Sequence, residues 1–352
     1  MTIRVEHREA FDAGLREGWD LLASRAGARP FLRPGWIEAL WQAFGSGRLD
    51  LLVATRGGSV AGVLPLMRLG GAVWSITNPH TPFFAPVGES REVLMALWRE
   101  ALRDRPFPLG VGFMEPPALE VLEEAARGRP VTRTVIARSP WVPLADGWEA
   151  YEARLAARRL REIRRRRRRL SDRGDLAIEV HDGRTDLERL LEDVVAVEGS
   201  GWKDEARTAI RAGADTRRFY RSVAAWAADR GWLRLAFLRL DGRPLAADLS
   251  LEEGGAHYLL KTGYDPAYAG FGPGLLLRHA MLERAFREGL DSYELLGTDD
   301  PWKREWADRV RPLLFVRVYP RTPAGLAARA WHGRLRPLLG RARRAARAVA
   351  RR

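Results

Sequence analysis

The chain has 352 residues, 46% of them hydrophobic, and a formal charge of +14. That apolar fraction fills packed cores and excludes wholesale disorder, and the length suits two ordinary domains better than one. The absence of cysteine excludes disulfides and cysteine metal sites, and six scattered histidines without a His-x-x-x-His pair do not point to zinc.

In chain order, the opening stretch MTIRVEHREAFDAGLREGWD lacks the apolar core of a signal peptide. No uninterrupted apolar run approaches ~18 residues, so the expected location is the cytoplasm. FLRPGWIEALWQAF (31–44) reads as a helix. LDLLVATRGGSVAGVLPLMRL (49–69) reads as a hairpin turning at Arg56-Gly57-Gly58-Ser59. GAVWSITNPHTPFFAPVG continues as strand and proline-rich loop. EVLMALWREALRD is a helix, PLGVGFMEPP a buried strand, ALEVLEEAARG a helix and TRTVIARSPWVPL a further strand.

The second half repeats the theme. Helices are expected over 186–202 and 216–231, then strands over 232–265 joined by Asp241-Gly242 and Glu253-Gly254-Gly255 turns. Placing Gly58 on Gly242 superposes LLVATRGGSVAGVLPL on LAFLRLDGRPLAADLSL at an offset of 184, which suggests a duplicated unit. A glycine-rich loop and helix follow (266–289), and LDSYELLG (290–297) is expected as the final buried strand. Strand, loop, helix and strand make a crossover unit, so at least one strand pair is parallel.

The charge is concentrated. Residues 154–170 carry ten Arg and one Glu, residues 321–352 carry ten Arg and no acid, and the remainder sums to −5. A domain built to bind nucleic acid would spread basic residues over a whole face. The run Arg164–Arg169 is read first as the solvated side of a helix at a domain junction, second as a rim for an anionic substrate or carrier, and third as a nucleic-acid site. Leu160, Ile163 and Leu170 share one side of that helix, with Arg167 on their seam. Of 59 basic residues only Lys203, Lys261 and Lys303 are lysines. Where arginine is so favoured, a retained lysine marks a place that needs a compact ammonium with a tunable pKa, the alternative being survival by chance.

Gly270, Gly272 and Gly274 in GFGPGLLLRHA stand between a strand and a helix, where bare N–H groups meet the positive end of a helix dipole. The loop is neither a Walker A motif nor a dinucleotide fingerprint, and a plain glycine-rich turn remains the alternative.

The order helix, antiparallel hairpin, third strand, glycine-rich loop, helix, strand resembles a GNAT acyltransferase. EGSGWK, WLRLAFLRLDGRPLAADLSL, LKTGYDPAYAGFGPGLLL and ELLGTDDPWKREW look more narrowly like the CelD-type acetyltransferases of cellulose biosynthesis. Those are in turn similar to Fem-type aminoacyl transferases, which are built from two GNAT units. The resemblance is dense over 155–320 and looser over 30–145, and Trp302-Lys303 stands where the family more usually has Tyr-Lys.

The resemblance implies a mixed α/β protein of two tandem GNAT-like units with central sheets flanked by helices. Residues 1–150 would form a structural or acceptor-binding unit, 151–322 the acyltransferase unit, and 323–352 a basic amphipathic tail. It implies acyl transfer from a thioester, acetyl-CoA, to an amine or hydroxyl of a saccharide or cell-envelope precursor, with no metal. Gly270, Phe271, Gly272, Gly274 and Lys261 would hold the coenzyme. Lys303 would neutralise phosphate or oxyanion, Glu198 would act as base, Asp248 would face inward and orient the acceptor, and Tyr264 would serve as acid or substrate contact. Trp202 is core as readily as site. In the tail, Trp331, Leu335, Leu338, Ala342, Ala345 and Val349 alternate spacings of four and three among arginines, a pattern suited to an anionic membrane surface or to a loosely ordered tail. The competing readings are a Fem-like transfer from aminoacyl-tRNA and a non-catalytic nucleic-acid-binding protein on a GNAT scaffold.

Overall fold

The computed structural model describes residues 2–103, 107–199, 210, 213–307 and 309–332. The chain divides into two compact units, one of Met1–Trp41, Gly45–Ala137 and Pro312–Arg352, the other of Gln42–Phe44 and Arg138–Arg311. Trp202, Lys203 and the tail positions from Leu335 onward lie outside the described residues.

The strands in chain order are β1 (Ile3–Arg8), β2 (Arg48–Arg56), β3 (Ser59–Leu69), β4 (Ala72–Ser75), β5 (Val87–Gly88), β6 (Leu109–Met114), β7 (Val131–Pro143), β8 (Leu176–His181), β9 (Leu233–Leu240), β10 (Arg243–Glu253), β11 (Ala256–Tyr264), β12 (Ser292–Glu294) and β13 (Arg309–Val318). The first unit orders its strands β1-β2-β3-β4-β6-β13, with β5 against β3. The second orders them β8-β9-β10-β11-β12-β7. Each is antiparallel except for one parallel pair, β4 with β6 and β11 with β12. A crossover helix joins each parallel pair, Arg91–Leu102 in the first unit and Pro273–Arg287 in the second.

The duplication suggested by the 184-residue offset extends to an irregularity. In the β2–β3 hairpin the register passes from Ala54 opposite Gly62 to Thr55 opposite Val60, so Ala61 is the extra residue. In β9–β10 it passes from Leu238 opposite Ala246 to Arg239 opposite Pro244, so Leu245 is extra. Ala61 and Leu245 are equivalent under the offset. A bulge turns a strand locally and persists because it re-aims side chains. The turns also correspond, with Gly57 and Gly58 at φ 60° and 83° and Asp241 and Gly242 at φ 48° and 77°, as a tight two-residue hairpin turn requires.

Three strands escape the hydrophobic pattern. β1 and β8 begin the strand order of their units and are half-buried or exposed along most of their length, so no clean alternation marks them. β13, not 290–297, is the last strand; it contains Pro312 and an irregular burial pattern. The expected strand at 290–297 shortens to three residues because Leu296 and Gly297 turn to φ 52° and 61°. Each unit also takes its sixth strand from chain beyond its own crossover. Residues 138–143 of β7 follow β6 in sequence yet belong to the second unit, and residues 312–318 of β13 belong to the first.

Each unit has its own core. Leu64, Trp98 and Val111 are among the fully buried side chains of the first. Leu170, Leu245, Leu282 and Tyr293 are among those of the second. At roughly 1.5–3 kcal/mol per fully buried large apolar side chain, either core opposes the chain entropy of a domain this size.

The helix Ala157–Ser171 buries Ile163 and Leu170, as the spacing requires. The inward arginine differs from expectation. Arg167 is exposed, whereas Arg166 is half-buried one position earlier. At 100° per residue, Arg166 falls about 60° to one side of Ile163, the side it shares with Arg159 and Leu170, and Arg167 about 40° to the other, beside Leu160.

Candidate active site

β11 and β12 pair only from Ala256 with Ser292 to Tyr258 with Glu294. β11 then runs on to Tyr264, hydrogen-bonded to β10 on its other side, while β12 has ended. Beyond Tyr258 the strands part, and a cleft of about 490 Å³ lies there. Thr262, Gly263 and Tyr264 of β11 line it, together with the start of the 273–287 helix, Arg159 and Arg166 of the arginine helix, and Glu198.

Strand alternation assigns these groups to two faces of the sheet. Leu249 is paired with Lys261 and Ala247 with Gly263, and this face lies under the helix Leu187–Glu198. Glu198 ends that helix with its side chain fully buried. Its Oε2 accepts the Ile210 N–H at 2.8 Å, and its Oε1 lies 3.8 Å from Lys261 Nζ. The Lys261 ammonium stands 5.1 Å from the centre of the Tyr220 ring. Burial, assisted by the nearby Glu198 carboxylate, pushes the Tyr220 hydroxyl pKa far above its ordinary value.

Gly263 permits this closeness, because a Cβ there would sit 2.4 Å from Glu198 Cα. That neighbour is backbone, so it cannot yield as a side-chain tip would. Gly263→Ala is therefore expected to push the helix end off the strand, costing about 1–3 kcal/mol as overpacking, and to reduce turnover by displacing Glu198. Thermal denaturation with a kinetic assay checks this, and a variant with wild-type stability would sink the argument.

The opposite face carries Asp248 opposite Thr262, with Arg278 reaching down from the 273–287 helix. Arg278 Nη2 donates to Asp248 Oδ1 at 2.9 Å and to Thr262 Oγ1 at 3.3 Å, while Nη1 donates to the Tyr293 hydroxyl. Both members of the Arg278–Asp248 pair are buried, and Arg278 lines the cleft. Burial opposes charge on Arg278, but Asp248 and Tyr293 outweigh it and hold the guanidinium above its ordinary pKa. Burial pushes the Tyr293 hydroxyl up. Tyr293 is itself held by a stacked His257 ring at 4.3 Å, whose Nδ1 lies 2.8 Å from Glu252 Oε1.

The glycines divide. Gly272 is the left-handed residue (φ 62°, ψ 50°) that caps the 273–287 helix, with Pro273 in its first turn. Gly272 and Gly274 both line the cleft, and a Cβ on Gly274 would rest 3.4 Å from Tyr264 Cδ1. The first turn brings the positive end of the helix dipole to the cleft, while the Gly272 N–H donates to the Ala269 carbonyl and those of Leu275 and Leu276 to the Gly272 carbonyl. Gly270 is exposed and outside the lining. Phe271 lies under Arg169 and Arg173, whose guanidinium carbons stand 5.1 and 4.7 Å from its ring centre.

The structure therefore brings Glu198, Tyr264, Gly272 and Gly274 to the cleft. It sets Lys261 behind Glu198 and Asp248 behind Arg278. Lys303 sits apart. Its Nζ donates to the carbonyls of Leu296 and Thr298 at 2.7 and 2.9 Å and lies 3.2 Å from Asp300, clamping the turn after β12, while its neighbour Trp302 lines the cleft. Among the described residues no cluster of three or more potential metal ligands occurs, and no helix is long and apolar enough to cross a membrane.

Sequence reasoning missed Arg159, Arg166 and Arg278. A signal for the last was present, since Arg278 interrupts the seam of Leu277, Met281, Leu282 and Ala285 with a charge that needs a buried partner. The first two were hidden in an arginine run whose members differ only in direction.

Residues 157–304 match the family model described as acetyltransferase (GNAT) domain. No curated protein matches the sequence. Among solved structures, FemX aligns with a TM-score of 0.58 at 12% identity, covering 88% of this chain and 96% of its own. The C-terminal DUF2156 domain of a candidate lysylphosphatidylglycerol synthetase from Agrobacterium fabrum aligns with a TM-score of 0.56 at 14% identity, covering 90% and 95%. L-PGS from Bacillus licheniformis aligns at 0.54 and 10% identity, covering 84% and 95%. At these identities the likeness shows the fold alone, mixed sheets flanked by helices.

Proposed function

We propose that this protein transfers an acetyl group from acetyl-CoA to an amine or hydroxyl of a cell-envelope or polysaccharide precursor, acting from the cytoplasm. The observation that carries the reading is the parting of β11 and β12, with Glu198 on one side of the sheet and the Gly272–Gly274 helix start on the other. Two reactants can enter from opposite faces and meet in the gap, the proximity that direct acyl transfer needs. The CelD-type resemblance of the 155–320 stretch supports the precursor class.

In this mechanism the Gly272–Gly274 turn, with the positive end of the helix dipole, holds the pyrophosphate of the donor, and Arg166 stands beside it. The thioester lies along β11, whose N–H and C=O groups past Tyr258 are not engaged by β12. Glu198 takes the proton of the attacking amine or hydroxyl as the new C–N or C–O bond forms. The C–S bond then breaks, and Tyr264 supplies the proton that the departing thiolate takes up. Lys261 keeps the Glu198 carboxylate oriented from behind, and Arg278 offers positive charge to the developing oxyanion from the cleft floor.

Acetyl-CoA at 100 times its dissociation constant should stabilise the protein by about 2.7 kcal/mol, a rise of several degrees in Tm, whereas uncharged and aminoacylated tRNA should leave Tm unchanged. Stabilisation by tRNA and not by acetyl-CoA would replace this reading with a Fem-like transfer.

A further inference from the structure

The helix Ala157–Ser171 has two sides with different chemistry. Its inner side supplies Arg159 and Arg166 to the cleft wall, each neutralised by a cleft carboxylate, Arg159 by Glu305 and Arg166 by Glu162 at 2.6 Å. Its outer side supplies Arg158, Arg161, Arg164, Arg165 and Arg168, all exposed. None of these five has an ion-pair or hydrogen-bond partner among the described residues. Elsewhere arginines such as Arg16, Arg29, Arg56, Arg239 and Arg284 each reach a carboxylate. A general preference for arginine over lysine explains how many there are, but not why these five stand without acids.

At 100° per residue the five fall within about 120° of the helix circumference and span about 15 Å of its axis. A plane can touch all of them at once. The single acid on that side, Asp172, sits at the C-terminal cap. Ile163 and Leu170 are buried in the unit's own core and Leu160 is half-buried on the same side, outside the arc of the five arginines, so this surface offers charge alone. It also carries no aromatic ring or amide with which to stack on or read a base, which single-stranded nucleic-acid platforms combine with their charge.

We propose that the outer face of the 157–171 helix is an electrostatic docking surface for an anionic phospholipid membrane, and that it presents the cleft to an acceptor carried at that membrane. The proposal rests on the cell-envelope reading above and names the partner of the same site. One helix separates the docking face from the cleft wall, about 10 Å, within reach of a lipid-borne headgroup. Adsorption of this kind gains about 1 kcal/mol per basic side chain at an anionic surface and weakens as salt screens it.

The test is sedimentation of the full chain with vesicles of phosphatidylglycerol and phosphatidylcholine, against vesicles of phosphatidylcholine alone, at low and high salt. The comparison variant is Arg161→Glu/Arg164→Glu/Arg165→Glu/Arg168→Glu. The native chain should bind only the anionic vesicles, and its affinity should fall by more than about tenfold in 0.5 M salt. The variant should lose roughly 100-fold or more while keeping its thermal stabilisation by acetyl-CoA, which shows that it is folded. Undiminished vesicle binding by the variant would assign the contact to another segment and overturn the proposal. So would failure of the native chain to bind anionic vesicles while it binds tRNA. Loss of acetyl-CoA stabilisation in the native chain would instead strike the acyltransfer reading and leave the vesicle result to stand by itself.

Discussion

Replacing Asp248 by alanine should cost about 3–5 kcal/mol of stability and lower Tm on the order of 10 °C. Asp248 has no solvent exposure, and its partner Arg278 has 2%. Removing the carboxylate leaves a buried guanidinium with only the Thr262 and Tyr293 hydroxyls, and a lone buried charge is far costlier than an absent pair. The double variant Asp248→Leu/Arg278→Met should therefore recover most of the lost stability, because matched apolar groups tolerate the same space. Turnover should remain low in the double variant, since Arg278 lines the cleft and is the group proposed to face the oxyanion. Chemical denaturation and steady-state kinetics on both variants separate the two effects. A double variant with wild-type turnover would reduce the pair to packing.

Glu198→Gln is expected to reduce kcat by about 10²–10⁴-fold, the contribution of a positioned general base, with little change in fold. The amide is isosteric, and its oxygen can still accept the Ile210 N–H that now reaches Oε2. Acetyl-CoA should still stabilise the variant, because the helix N-terminus proposed to hold the donor lies on the other face of the sheet. This split, with kcat lost and donor binding kept, distinguishes a base from a donor contact. A change of less than twofold in kcat would remove Glu198 from the chemistry and turn attention to Tyr264, whose exposed ring edges the same cleft.

Both predictions turn on residues that the sequence and the fold reveal to different degrees. The hairpin turns at Gly57-Gly58 and Asp241-Gly242, the glycine-led helix at 273–287 and the buried seam of Ile163 and Leu170 were legible, because each depends on neighbours within a few residues. The 184-residue correspondence was legible too, and the matched bulges at Ala61 and Leu245 extend it to a detail that side-chain patterning cannot carry. Gly272, Gly274, Glu198 and Tyr264 were found as candidates from their places at element ends. Lys303 is marked in the sequence by the rarity of lysine, by its place after the last expected strand and by the resemblance, and none of these says which way its ammonium points. Its ammonium turns to the carbonyls of Leu296 and Thr298.

By itself, the sequence determined most helices, the hairpins, the repeated α/β order and the position of a phosphate-suited loop, but not β1, β8 or β13, because turn chemistry and periodicity act over a handful of residues. The tertiary structure decided the rest. It paired β13 with β6 and β7 with β12, joining segments well over a hundred residues apart that no local pattern connects. It parted β11 from β12 to open the cleft, and it set Glu198 and Arg278 on opposite faces of that opening. It also divided one arginine run into a cleft wall and an unpaired outer face. Which way each identical side chain points follows only once the apolar side of its helix has found a core.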